Sequence, residues 1–141
     1  LRDRDGLCQG LAEGAVDALC SDHTPVDDDA KQVPFAEAEV GATGLELLLP
    51  LCLRWGQAKG LSLAATLAAI TSRPAQILGS DAGRLAPGSP ADLCLFDPRA
   101  AWRVEPKALK SQGRNTPFIG YEMHGRVRYT FVGGQVVFEA G

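Results

Sequence analysis

Apolar residues recur along this chain with two different periods, and the change falls near residue 80. Leu7 and Leu11, with small residues around them, have helical spacing over residues 2–14, and Gly14 supplies a stop. The run 17–21 predicts a short buried strand, fed by that helix and cut off by Asp22, His23 and Pro25. The polar loop 22–42 follows, holding Pro25, Pro34, three consecutive acids and Gly41. Loops beyond about 12–15 residues are usually functional or disordered. Thr43-Gly44-Leu45-Glu46 reads as a capping box ahead of a buried helix over 44–55, apolar at Leu45, Leu48, Leu49 and Cys52. Ser62 caps a second helix through Ile70, and Ser72 with Pro74 opens a third that ends at Gly79. Past that point the period is two. Residues 91–96, 101–104, 126–132 and 135–138 alternate like strands, with Gly133-Gly134 as the hairpin turn between the last two. With no internal repeat and no low-complexity tract, the break near Ser80 is the one credible internal boundary.

Length and charge narrow the function classes. The 141 residues suffice for one core, whereas a complete eight-fold α/β barrel usually needs roughly 250. The chain opens on Leu1 and its single methionine is Met123, which suggests a processed, truncated or partial chain. Residues 1–14 mix charge with apolar positions and do not resemble a signal peptide. The apolar runs 45–53 and 61–70 are too short to span a bilayer, so a soluble, cytoplasmic protein is expected. A formal net charge of -3, with 14 scattered Lys and Arg, offers no basic stripe for nucleic acid. Cys8, Cys20, Cys52 and Cys94 form no Cys-x-x-Cys pair, and they read as reduced core residues. Trp55 and Trp102 read as core, and His124 as a surface turn residue. Asp27, Asp28 and Asp29 are adjacent rather than alternating, which suits a solvated loop face and not a calcium loop.

Asp22 is the residue to explain. A buried strand that ends in Asp-His and opens into a long loop is how barrel enzymes set a carboxylate at the catalytic mouth; the alternative is an aspartate that caps a turn. Around it lie Lys31-x-x-Pro34-Phe35-Ala36-Glu37-Ala38, Gly41-x-x-Gly44-Leu45-Glu46, Ser72-Arg73-Pro74-Ala75, Gly83-Arg84-Leu85-Ala86-Pro87-Gly88-x-x-Ala91-Asp92, Asn115-Thr116-Pro117-Phe118 and Val127-x-x-Thr130-x-Val132-x-Gly134. Together these blocks resemble the C-terminal half of a dihydroorotase, within the amidohydrolase superfamily. The Gly-x-Leu-x-Pro-Gly block names only the superfamily, while Pro34-Phe35 with Gly44-Leu45-Glu46 favours dihydroorotase over hydantoinase or allantoinase.

The resemblance implies an α/β architecture. Residues 1–79 would be the last strand and helices of a TIM barrel, and 80–141 strands of a small β-sandwich with a return toward the barrel around 105–120. It implies reversible hydrolysis of dihydroorotate to N-carbamoyl aspartate, in pyrimidine biosynthesis, at a zinc centre. Asp22 would bind one metal and shuttle the proton, and backbone groups of Ala38 and Gly41 would meet the substrate. The other metal ligands of the family, a His-x-His pair among them, have no counterpart in this sequence. His23 should point away from the metal side and serve as a structural hydrogen-bonding group.

Val26 departs from the pattern, because active dihydroorotases usually carry a substrate-binding histidine at that position. Losing one charge-assisted hydrogen bond costs about 1.5–3 kcal/mol. A second reading follows, in which the chain belongs to a non-catalytic dihydroorotase-like scaffold for aspartate transcarbamoylase. A hydantoinase-type amidase is the weaker third reading. On any of them the exposed edges of half a barrel call for cover by an N-terminal half, a homo-oligomer or aspartate transcarbamoylase.

Overall fold

A computed structural model describes residues 2–141, and an antiparallel sheet at its C-terminal end carries four short helices and a long loop. Helix α1 (Arg2–Glu13) ends where Gly14 turns left-handed at φ 82°. After the loop, a 3-10 turn over Leu45–Leu47 leads into α2 (Leu48–Ala58). Helix α3 (Leu63–Ala68) starts as its sequence indicates, with Ser62 Oγ accepting from the Ala65 amide at 3.2 Å. Helix α4 (Ser72–Ile77) follows. The sheet is β1 (Leu93–Arg103), β2 (Glu122–Val132) and β3 (Gln135–Glu139), in that order. The β2–β3 connection is the expected Gly133-Gly134 turn, whose φ values of 56° and 81° only glycine adopts freely. Strand β1 joins two of the predicted strands into one, across a bulge between Asp97 and Ala101. Pro98 accounts for that break, since it has no amide to give to the ladder.

The bulge is held by the Asp97 carboxylate, which accepts from the Arg99 amide at 2.9 Å and the Ala100 amide at 3.2 Å. The Arg99 amide chiefly holds its pKa below the usual aspartate range, against an opposing effect of desolvation and with help from the Ala100 amide and the Arg128 and Arg99 charges. A carboxyl whose pKa falls on folding stabilises the fold above the ordinary value of 3.8 and loses that contribution as pH drops below it. Replacing Asp97 with Ala should therefore flatten the acid limb of stability. Thermal melts of the complete protein between about pH 5 and pH 3 should show a smaller midpoint change than in the parent, and an equal change would rule the bulge contact out as a source of acid sensitivity.

The principal core cluster joins the two parts of the chain. Leu47, Val104, Leu109 and Met123 are buried together, with Leu51, Trp102 and Phe118 packed against them. Helix α2 crosses β2 where Gly125 stands: a Cβ there would meet Leu53 Cδ1 at 2.5 Å, and the Gly125 carbonyl accepts from Trp102 Nε1 at 3.2 Å. Helices α2 and α3 are joined by Cys52, whose Sγ donates to the Thr66 carbonyl at 3.3 Å and whose thiol pKa burial pushes up.

Several sequence expectations are corrected here. Residues 17–21 form no strand, because their one bond of note is from the Leu19 amide to the Ala69 carbonyl at 2.8 Å, and Asp17 and Cys20 are exposed. The capping box does not form. Thr43 and Glu46 give their polar atoms to the distant segment 110–113 instead, and the cap of the following turn is Gly44 with no side-chain bond. Leu45 is exposed, and Leu47 takes its place in the core. Of the cysteines, all of them free, only Cys52 is buried; Cys20 and Cys94 are exposed. Trp55 is half-buried, whereas Trp102 does pack against the core cluster; His124 is at the surface as expected, but within β2 rather than in a turn.

Candidate functional site

Three stretches of backbone meet around Asp22. The first, residues 22–24, leaves the extended segment at a sharp turn. Asp22 has φ 46°, the only positive φ outside glycine among the described residues. Aspartate and asparagine tolerate this left-handed region better than most residues, and such outliers concentrate at functional sites. The turn is closed locally, with Thr24 Oγ1 donating to the Asp22 carbonyl at 3.2 Å. The Asp22 side chain is exposed.

The second stretch, 41–45, lies alongside. His23 and Ala42 form a parallel bridge, and the Thr24 amide donates to the Ala42 carbonyl at 3.0 Å. Gly41 has to be glycine, since at φ 127° a Cβ would sit 2.6 Å from the Thr24 carbonyl oxygen. His23 is a hydrogen-bonding residue, as expected: its Nδ1 accepts from the amides of Gly44 and Leu45, each at 3.2 Å. That assigns the proton of the neutral ring to Nε2. The third stretch, 113–115, closes the other side. The Thr43 amide donates to the Asn115 carbonyl at 2.7 Å, and Thr43 Oγ1 to the Gly113 carbonyl at 2.6 Å.

Between the first two stretches the loop folds back on itself. A 3-10 turn over Asp28–Lys31 presents Asp28 and Asp29 to solvent, as a solvated face should. The Glu39 amide donates to the Ala30 carbonyl at 3.2 Å, and Lys31 Nζ to the Glu39 carbonyl. Val26 is half-buried and brings no polar atom. The Ala38 amide donates to the Pro34 carbonyl at 3.0 Å, so a bound anion would have to take over that bond. The Gly41 carbonyl accepts from Asn115 Nδ2 at 3.4 Å. Phe35 stands 98% exposed at the loop's far end.

As a metal site the donor set is incomplete. Among the described residues no three His, Cys, Asp or Glu converge on one point, and His23 has only Nε2 to spare. A catalytic zinc takes about three protein ligands. Asp22 can serve as one ligand of a zinc centre, but these residues do not fit a whole one. Sequence reasoning missed Thr43, Gly113 and Asn115 as supports of the site. Asn115 stood out only as part of a family block, and nothing local to it reports the contact with Thr43.

The chain is similar to known proteins along nearly its whole length. The profile described as "Amidohydrolase family" matches residues 11–138. A dihydroorotase from Geobacter sp. (strain M21) is 42% identical over 99% of this chain and 33% of its own length. A dihydroorotase-like protein from Pseudomonas aeruginosa is 44% identical over 97% of this chain and 32% of its own. Among solved structures, an L-hydantoinase from Arthrobacter aurescens superposes with a TM-score of 0.85 at 34% identity, over 96% of this chain and 31% of that one. The chain thus spans about a third of the length of the curated relatives it matches. Among the described residues no helix is long and apolar enough to cross a membrane. A match over so much of its length, together with identities above 40% to dihydroorotases, makes this chain a member of the amidohydrolase family.

Proposed function

We propose that the complete protein hydrolyses a cyclic amide of the dihydroorotate type, and that Asp22 is the group that moves the proton. The observation that carries the reading is the left-handed Asp22, exposed at the mouth of a loop that two other backbone stretches brace. In hydrolysis of a ring amide, water attacks the carbonyl carbon as a base takes its proton, and the ring nitrogen leaves once it is protonated. One carboxylate can do both if it stays within hydrogen-bond reach of each atom. The reading takes residues 1–79 as the end of a barrel and 80–141 as strands of a small sandwich, with 105–120 returning toward the barrel. Zinc and a cytoplasmic location come with it, the remaining metal ligands lying outside residues 1–141. Identity favours dihydroorotate over hydantoins as substrate, at 42% and 45% to two dihydroorotases against 34% to the L-hydantoinase.

Val26 supports the second reading, a dihydroorotase-like scaffold bound to aspartate transcarbamoylase. An apolar, half-buried side chain offers nothing to a substrate carboxylate. One assay separates the possibilities: the complete protein is offered dihydroorotate, N-carbamoyl aspartate and hydantoin in turn. Interconversion of the first two with little action on hydantoin is expected. Turnover of hydantoin alone would transfer the chain to the hydantoinases, and no turnover of any would favour the scaffold.

A further inference from the structure

We propose that residues 113–115 are a latch that positions Asp22, with Thr43 and Asn115 as its positioning residues; this rests on the reading of Asp22 given above. The stretch 41–45 lies between two neighbours. On one side it holds 22–24, through the amide of Thr24 on Ala42 and the ring of His23 on the amides of Gly44 and Leu45. On the other it is held by 113–115, through the Thr43 amide, the Thr43 hydroxyl and Asn115 Nδ2. The latch therefore reaches Asp22 by two routes, the hydrogen bonds of the middle layer and the packing of Gly113 against Pro25, three residues past Asp22.

Two features make the latch specific rather than incidental packing. Thr43 is 1% exposed, so no water can replace the Gly113 carbonyl as partner for its hydroxyl. Gly113 is fitted to the loop itself, since a Cβ there would lie 2.4 Å from Pro25 Cβ and 3.1 Å from Thr43 Oγ1. The segment is also anchored next door, where the Glu46 carboxylate accepts from the amides of Lys110 and Ser111 at 2.8 Å. A stretch some 90 residues further along the chain thus sets where the carboxylate stands.

The test uses Thr43→Val in the complete protein, which keeps shape and amide and removes only the hydroxyl. Amide hydrogen exchange is read at Thr24, Gly44 and Leu45 and, as an internal control, along the β1–β2 ladder. Loss of one ordinary hydrogen bond should speed exchange at the three loop amides by about tenfold and leave the ladder unchanged. Turnover should fall with little change in KM, and Thr43→Ser should restore both. Unchanged exchange at Thr24, or an equal rise along the ladder, would overturn the latch. The Asp22→Asn variant run in parallel isolates the other premise: normal turnover there would overturn the reading of Asp22, whatever the exchange data say.

Discussion

Replacing Asp22 with Asn in the complete, active protein is expected to lower turnover by about a hundredfold or more, in line with the loss of a general base. The variant is informative because it removes the proton acceptor and little else. Asparagine shares aspartate's tolerance of the left-handed region, so the turn at φ 46° should survive. The local closure by Thr24 Oγ1 goes to the Asp22 backbone carbonyl and is untouched. Asp22→Ala would confuse the result, since alanine pays a backbone penalty at positive φ of about 1–2 kcal/mol. Near-normal turnover in the Asn variant would reduce Asp22 to a turn residue, and hydrogen-bond reach to a ring amide would have to be sought elsewhere.

Gly56→Ala should be among the most damaging single methyls in the chain. A Cβ at Gly56 would sit 2.0 Å from Thr66 Oγ1, 2.5 Å from its Cγ2 and 2.8 Å from its Cβ. Thr66 cannot yield, because it is buried and its hydroxyl donates to the Ser62 carbonyl at 2.9 Å. Two effects oppose each other. Alanine gains up to about 1 kcal/mol over glycine inside a helix, whereas overpacking of a fitted contact costs up to about 3 kcal/mol. The clash wins, and a net loss of about 2 kcal/mol shifts the folded-to-unfolded ratio by roughly thirtyfold. Denaturant titration of the complete protein measures it. In a Thr66→Gly background the same methyl should cost far less, while a Gly56→Ala variant as stable as the parent would mean that α2 and α3 sit further apart.

Elements whose cause is local were legible in the sequence. Ser62 caps α3 with its own side chain, Gly14 ends α1, and Gly133-Gly134 turns the hairpin, each within a few residues of the feature it creates. What failed depended on distant or missing partners. Thr43 and Glu46 carry a capping-box pattern, yet their oxygens are claimed by Gly113, Lys110 and Ser111, 64–70 residues away. Residues 17–21 have strand composition, but a strand is defined by its neighbours, and among the described residues only the Ala69 carbonyl is there to meet it. Cys20 and Cys94 sit in apolar runs that suggest core, whereas both are exposed on a surface without cover among the described residues. Asp22 was legible as a candidate because an acid ends an apolar run at the start of a long loop. Its left-handed backbone and the latch behind it were not, since both arise from contacts with residues 41–45 and 113–115.

The uncovered surface is large enough to measure. A compact monomer of 14.9 kDa exposes about 7,000 Å², and this chain exposes 9746 Å². The excess of roughly 2,700 Å² is about three times what one partner buries in a standard protein interface. Exposed apolar side chains contribute to it on several elements, Phe35 and Val40 on the loop, Ile77 and Leu78 at the end of α4, and Val136 and Val137 on β3. We propose that an N-terminal half of the same protein, a second copy of the chain or aspartate transcarbamoylase covers these faces. That residues 1–141 are one part of a larger amidohydrolase fold is tested most directly by light scattering on the purified chain coupled to thermal unfolding. Oligomers, aggregates or a non-cooperative melt are expected, and a compact, cooperatively unfolding monomer of 14.9 kDa would contradict it.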